Sequence, residues 1–256
     1  MEELMGLPVR PNVESVQRAF SILELLNTSK RGWNISEMSR KLEIPKSTTH
    51  VLVSTLDQLG YIRQAQSSRR FQLSTKIFGL GQKSLAATPL PDVALPHLSW
   101  LVQATGLTAH IGILEKNQVV FVQKVDGPGL IKFDTYVGKC SELHCTAIGK
   151  SLVAFQPEAA IDELLAKYTF NRFTRNTISS RSSFLSELAH VRQLGYSIDN
   201  EEEELGIRCV AVPIPSAGNV AAAVSVTGTI SQMQIENIDK VVVLAKRAAA
   251  KIAAYL

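Results

Sequence analysis

The apolar positions fall into two regimes that meet near Gly106. Before it they recur at helical spacing, starting with Val16, Ala19, Phe20, Leu23 and Leu26 in a segment Ser15–Asn27 that Ser15 is placed to cap. Ile35, Met38 and Leu42 mark one face of a short helix, Ser36–Leu42, which Pro45 cannot continue. Thr49, Leu52, Val53, Leu56 and Leu59 mark a third helix that stops at Gly60. Two short β-prone runs follow, Tyr61–Gln64 and Arg70–Leu73, around the polar loop Ala65–Arg69, which predicts a hairpin. Ser74–Ala87 is helical again, with Ile77, Leu80, Gly81 and Leu85 on one side as a candidate dimer seam. Thr88–Pro91 breaks it, and Val93–Thr105 resumes a helix that ends at Gly106.

Past Gly106 the pattern turns to strands: Thr108–Leu114, Val119–Val125 and Ile131–Tyr136 alternate or run apolar. Helices are predicted near Cys145–Phe155, Ala159–Lys167 and Ser182–Leu194. Arg208–Ile214 and Val220–Thr227 form a second strand pair across the turn-rich Pro215–Asn219, and a last helix covers about Gln234–Tyr255. The fold class is therefore α+β. Residues 12–74 form a winged helix-turn-helix with its helix-turn-helix at about 35–59, 75–91 a helical linker, and 92–256 a domain with a mainly antiparallel sheet.

Charge adds one thing to this picture. Residues 1–80 carry 11 basic against 7 acidic side chains, whereas residues 81–256 carry 16 of each, so the whole excess of +4 sits in the first third. A basic small domain beside a neutral large one suggests an anionic partner for the former, namely double-stranded DNA. Lys46, Ser47, Thr48 and His50 open the third helix, where a major-groove reader presents donors to phosphates and base edges. Arg40 and Ser54 extend that candidate surface, and Arg63, Arg69 and Arg70 belong to the wing. Winged helices also serve as protein–protein modules, and the pattern by itself leaves that reading open.

Composition excludes several classes. At 45% hydrophobic and 20% charged residues the chain can bury a core and is neither disordered nor of low complexity. No apolar run reaches the roughly 18 residues of a membrane span, and the acidic start lacks the order of a signal peptide. Three cysteines, Cys140, Cys145 and Cys209, form no disulfide framework, which makes a cytoplasmic protein the default.

Five stretches, in order, carry a resemblance: SVQRAFSILELL, IPKSTTHVLVSTLDQLGYI, ELHCTAIGKSLVAF, LGYSIDNEEEELGIRCVAVPI and AAVSVTG. With the spacing Gly195-x3-Asp199-x2-Glu202-x6-Cys209 they make the chain similar to the IclR family of bacterial transcriptional regulators, from about Val13 to Leu256. The resemblance implies an N-terminal winged helix, a C-terminal GAF-like effector domain, and a homodimer or a tetramer of dimers on a near-palindromic promoter operator. It also implies effector contacts from Ala147, Ile148, Asp199, Cys209, Ser225 and Thr227, with Leu130, Phe133 and Ser141 as wall and mouth. Three departures stand out. Val51 replaces a frequent Arg, Phe71-Gln72-Leu73-Ser74 replaces a frequent Tyr-Arg-Leu-Gly, and Ser141-Glu142 brings a carboxylate to the rim of the expected pocket.

Residue chemistry supports such a site. His144–Lys150 opens a helix with small residues, which lets an anion approach unpaired amides at the positive end of the dipole; the same residues could serve only to pack the helix on the sheet. Ser225 and Thr227, two apart on a strand, face one side. Phe133, Tyr136 and Leu130 suggest an apolar side, and the balance suits a small carboxylic acid, aromatic or sugar-derived. Glu201–Glu204 reads as a solvated face. No cofactor or resident metal is expected. His144, Cys145, Asp199 and Cys209 leave two alternatives, a metal-responsive regulator and a thiol-dependent enzyme, neither backed by a motif of the right spacing.

Overall fold

The computed structural model describes residues 13–65, 68–85, 89–216 and 219–256. The chain divides into two compact units, residues 1–86 and 87–256. Parts of the expected Ala65–Arg69 loop, Thr88–Pro91 break and Pro215–Asn219 turn lie outside the described residues.

The first unit contains α1 (Glu14–Asn27), α2 (Ile35–Lys41), α3 (Lys46–Gln58), the hairpin β1 (Ile62–Gln64) and β2 (Phe71–Leu73), and α4 (Thr75–Leu85). Ser15 does not cap α1: the helix begins one residue earlier, after Val13, whose side chain makes no capping bond. The buried face is also displaced. Ile22, Leu25 and Leu26 pack with Met38, Val53, Leu56, Ile62 and Phe71, while Val16 and Phe20 point outward. Helix α2 starts at Ile35 because Asn34 and Glu37 form a reciprocal capping box, with bonds of 2.9 and 3.0 Å between each side chain and the other's amide. The turn into α3 places Glu43 at φ 56°, a left-handed conformation that reverses the chain in few residues. Phe78 and Leu80 of α4 are exposed.

The second unit is built on one antiparallel sheet of order β5-β4-β3-β8-β7-β6. Its strands are β3 (Thr108–Glu115), β4 (Gln118–Val125), β5 (Cys140–Ser141), β6 (Ser197–Asn200), β7 (Ile207–Ser216) and β8 (Asn219–Thr229). Helices α6 (Ala147–Ala154), α7 (Glu158–Leu165) and α8 (Arg181–Leu194) separate β5 from β6. Helix α5 (Leu90–Thr105) precedes the sheet, and α9 (Ile238–Ala253) closes the unit after a 3-10 turn at Ile235–Asn237. Helix α5 starts at Leu90 rather than Val93, since Pro91 falls in the first turn, where its missing N–H costs nothing.

Two strands escaped the pattern and one expected strand is absent. Ile131–Tyr136 is irregular, because the backbone of β4 is taken by residues further on: Gly138 donates to the Phe121 carbonyl at 2.7 Å and Phe121 to that of Lys139 at 3.0 Å. The ammonium of Lys124 accounts for the carbonyls of Phe133 (3.1 Å) and Thr135 (2.6 Å), so the loop is satisfied without a ladder.

Helix α6 rests on the sheet face lined by small residues, with Ala211 and Ala223 in the same core cluster as Leu152 and Phe184 of α6 and α8. A β-carbon on Gly149 would stand 2.4 Å from the carbonyl oxygen of Leu143, and one on Gly112 would stand 2.7 Å from Ile148. Ser197 donates to the Ala147 carbonyl at 2.6 Å and lies 2.8 Å from the Ser151 hydroxyl, tying α6 to β6. Lys150, almost wholly buried, bridges Glu202 at 2.6 Å and Glu187 at 3.1 Å. Burial works against its charge, but the two carboxylates outweigh it and hold the ammonium above its usual pKa.

Because the Gly149 contact is to backbone, which cannot rotate away, Gly149→Ala is expected to destabilise the protein by more than about 2 kcal/mol in a denaturant titration. The conservative control Ser151→Ala should cost less than half as much.

Candidate functional site

In the first unit α3 has a buried face, Thr49, Val53 and Leu56, and an opposite exposed one. On the latter stand Lys46, Ser47, His50 and Ser54, at i, i+3 and i+4 spacing, with Thr48 half-buried beside them. The hydroxyl of Thr49 bonds back to Ile44 and Pro45, which locks the first turn. Val51 lies on the same exposed face at 62% accessibility, an apolar group among the polar ones. Arg40 on α2 and Arg63 and Arg69 on the hairpin are exposed as well.

Arg70 does not join them. Its guanidinium binds Glu37 through two bonds of 2.7 Å and the Gly32 carbonyl at 2.9 Å. This bidentate pair clamps the hairpin to the capping box of α2 and draws Glu37 below the usual carboxylate pKa. The expected wing contact is thereby spent inside the unit.

In the second unit the register of four strands lays polar side chains in two rows on the face beneath α6. Thr108, Thr227, Cys209 and Asp199 are cross-strand neighbours in one row; His110, Ser225, Ala211 and Ser197 form the next. Above them begins α6, whose N-cap Thr146 accepts from Gly149 at 3.0 Å. The amides of Ala147 and Ile148, first in the helix, have no acceptor within it. A cavity of ≈ 440 Å³ lies between helix start and sheet, and Phe133, Ala147, Ile148, Asp199, Cys209, Ser225 and Thr227 of the expected set all line it.

Four expectations change. Leu130 is fully exposed and forms no wall, because its loop turns outward after Gly129. Ser141 is buried behind the wall, where its hydroxyl and Lys139 favour the ionised form of Glu203 against burial. Glu142 is off the rim: Tyr168 donates to it at 2.6 Å and Asn171 at 3.1 Å. Glu201–Glu204 is no solvated face either, since Glu202 is the partner of Lys150 and Glu203 and Glu204 reach the cavity.

Asp199 sits at the end of the polar row, 1% exposed, with one oxygen accepting the Glu202 amide at 2.8 Å. Burial raises its pKa from 3.8 to about 7, with that amide opposing. Cys209, beneath it, receives the Thr227 hydroxyl at 3.3 Å, and burial lifts both this thiol and that of Cys145 well above the ordinary value. Neither is poised as a thiolate nucleophile. His144 is held away from Cys145 chemistry, its Nε2 on the Asn171 carbonyl and its Nδ1 on the Tyr168 hydroxyl, both at 2.8 Å. Among the described residues no three His, Cys, Asp or Glu side chains are grouped to hold a metal ion.

His110, Thr135, Lys139, Glu203 and Phe173 also line the cavity, and sequence reasoning passed over them. The one available signal was the alternation in β3, which sets His110 on the face of Thr108 and Gly112. Its pairing with β8 was not legible.

Residues 82–254 match the bacterial transcriptional regulator IclR C-terminal domain, and residues 15–66 the IclR helix-turn-helix domain. The HTH-type transcriptional regulator XynR of Escherichia coli is 35% identical over 224 residues, 87% of this chain and 89% of that protein. The crystal structure of the Thermotoga maritima IclR superposes with a TM-score of 0.75 at 29% identity, over 96% of this chain and 99% of that one. An IclR homologue from Microbacterium hydrocarbonoxydans, complexed with 4-hydroxybenzoate, shares the fold with a TM-score of 0.78 at 23% identity, over 94% and 98%.

The raised carboxyl pKa of Asp199 has a stability consequence with a definite sign. The folded state favours the protonated acid, so its contribution is complete below about pH 3.8 and is lost as pH rises through about 7. Burial, with the charges of Glu202 and Glu203, opposes the charged form, while the Glu202 amide and Lys150 favour it. Asp199→Asn, neutral at every pH, is expected to melt higher than the parent at about pH 8 and to show the smaller decline from about pH 5, measured by circular dichroism.

Proposed function

Because the chain belongs to the IclR family of bacterial transcriptional regulators, we propose a division of labour between its two units. The protein is an IclR-type DNA-binding regulator, not an enzyme, with a helix-turn-helix and an effector domain. In our reading α3 enters the major groove of a near-palindromic operator, with Lys46, Ser47, Thr48, His50 and Ser54 as its contacts. Arg40, Arg63 and Arg69 bind flanking phosphates, and Val51 adds an apolar base contact. The observation that carries this is the exposed face of α3, where hydrogen-bonding side chains repeat at helical spacing opposite a well-packed core.

The effector is a small carboxylic acid. Its carboxylate caps the free amides of Ala147 and Ile148, and Asp199, whose pKa burial raises to about 7, donates to it in the protonated form. Ser225, Thr227 and Cys209 contact the rest of the molecule from the sheet. The acid alters DNA affinity by preferring one arrangement of the assembled protein over another. A homodimer, or a tetramer of dimers, supplies two α3 helices to the operator. Exposed Val16 and Phe20 on α1 and Phe78 and Leu80 on α4 support such an assembly. The protein works in the cytoplasm, where its DNA is.

Titrating the protein against DNA from its own promoter region and a scrambled control tests the first part. At near-physiological salt the native sequence should bind at least about a hundredfold more tightly. Lys46→Ala with Thr48→Ala should erase that preference while acid binding persists. A double variant that keeps the preference would remove α3 as the reading element.

A further inference from the structure

The approach to α6 contains a hydrogen-bond chain whose hydrogens can be counted, built from Glu142, His144 and Tyr168, none of which lines the cavity. Tyr168 stands at its centre, three residues past the end of α7. Its hydroxyl donates to Oε2 of Glu142 at 2.6 Å and accepts the Leu143 amide at 2.9 Å. The same oxygen lies 2.8 Å from Nδ1 of His144, whose Nε2 lies 2.8 Å from the Asn171 carbonyl. The imidazole is fully buried and stands edge-on to the rings of Tyr168 and Phe170.

A carbonyl only accepts, so Nε2 carries a hydrogen. The contacts of the phenol with Glu142 and with Nδ1 each need one too, since otherwise two lone pairs would face each other. A phenol supplies only one. Its 2.6 Å contact with Glu142 has the length of a hydroxyl bound to an ionised carboxylate, which assigns that hydrogen to Glu142. Nδ1 must then bring its own. With a neutral His144 protonated on Nε2, the chain is one hydrogen short.

From this count we propose that Glu142, Tyr168 and His144 form a proton-binding site, and that the proton, held on the His144 imidazole, latches residues 142–144 to residues 168–171 at the entry to α6. In the latched state the imidazolium donates from both nitrogens, to Tyr168 and to Asn171, and Tyr168 relays the charge of Glu142 to it. When the proton leaves, the Tyr168 contact has no hydrogen and opens. Burial works against the ring's charge, the Asn171 carbonyl and Glu142 favour it, and Lys150 of α6 opposes it; burial prevails and sets the ring below its usual pKa of 6.5. Lys150 is itself countered by Glu202 and Glu187. Arg172 of the same loop is turned to the carbonyls of Thr174 and Arg175, and burial keeps Cys145 a neutral thiol. The latch therefore closes on acidification and opens as pH rises towards neutrality.

Nuclear magnetic resonance of the full-length protein with nitrogen-15-labelled histidine, titrated from pH 8 to pH 5, tests the site. The His144 signals are identified by their loss in His144→Gln. Nδ1 of His144 should gain a hydrogen in one step within this range, and the Leu143 and Tyr168 amide signals should move with the same midpoint. Tyr168→Phe and Glu142→Gln should each lower that midpoint by about one pH unit or more, the worth of one hydrogen bond to a charged group. The exposed His190 should titrate unchanged in both, and melting curves establish that both are folded. A His144 whose Nδ1 stays bare down to pH 5 would overturn the proton site. A ring doubly protonated up to pH 8 would keep the site and overturn its release. A step that leaves the Leu143 and Tyr168 amides unmoved would overturn the latch, and an unchanged midpoint in a folded Tyr168→Phe would overturn the relay through the phenol.

Discussion

The start of α6 is held over the sheet by a contact that admits no side chain. Gly149 lies against the backbone of Leu143, Ile148 fills the space above Gly112, and Ser197 and Ser151 stitch the helix to β6. Lys150, one residue on, is anchored by two carboxylates away from water. Every feature of the cavity beneath α6 depends on this seat. Its upper wall is the first turn of α6, its floor is the polar face of the sheet, and the gap between them is set by how closely helix and strands approach.

Given that seat, the electrostatics are mutually consistent. Unpaired amides and the helix dipole favour a carboxylate, while a nearby ionised Asp199 would repel it. In the proposed reading burial eases the conflict by raising the Asp199 pKa to about 7, so that the protonated acid is a donor rather than a repelling group. The DNA-reading unit solves a different problem with the same economy of charge: Arg70 is committed to Glu37, which fixes the hairpin, and the remaining basic groups stay on the surface.

Much of this was legible in the sequence where local rules apply. The helix-turn-helix, the hairpin, α6 to α9 and the paired hydroxyls Ser225 and Thr227 follow from periodicity and turn residues. What local pattern could not supply was partnership between distant segments. Ile131–Tyr136 alternates like a strand, but residues 138–141 occupy the edge of β4 it would need. Ser197–Asn200 is too short to announce itself. Arg70 is committed by Glu37, which lies 33 residues away in sequence, and the acidic run 201–204 is drawn inward by Lys150 through Glu202, 52 residues away, partnerships no local pattern encodes. His110 was invisible for the same reason, because its meaning comes from β8 and from Thr135.

In the proposed function an acid seats on the first turn of α6, and the amide resonances of Ala147 and Ile148 are the probes beside it. With isotope-labelled protein and a bound carboxylic acid, both amides should move strongly downfield and exchange more slowly, while Gly149, already bonded to Thr146, moves little. Binding that leaves Ala147 and Ile148 unmoved and shifts residues elsewhere would place the acid away from the helix start.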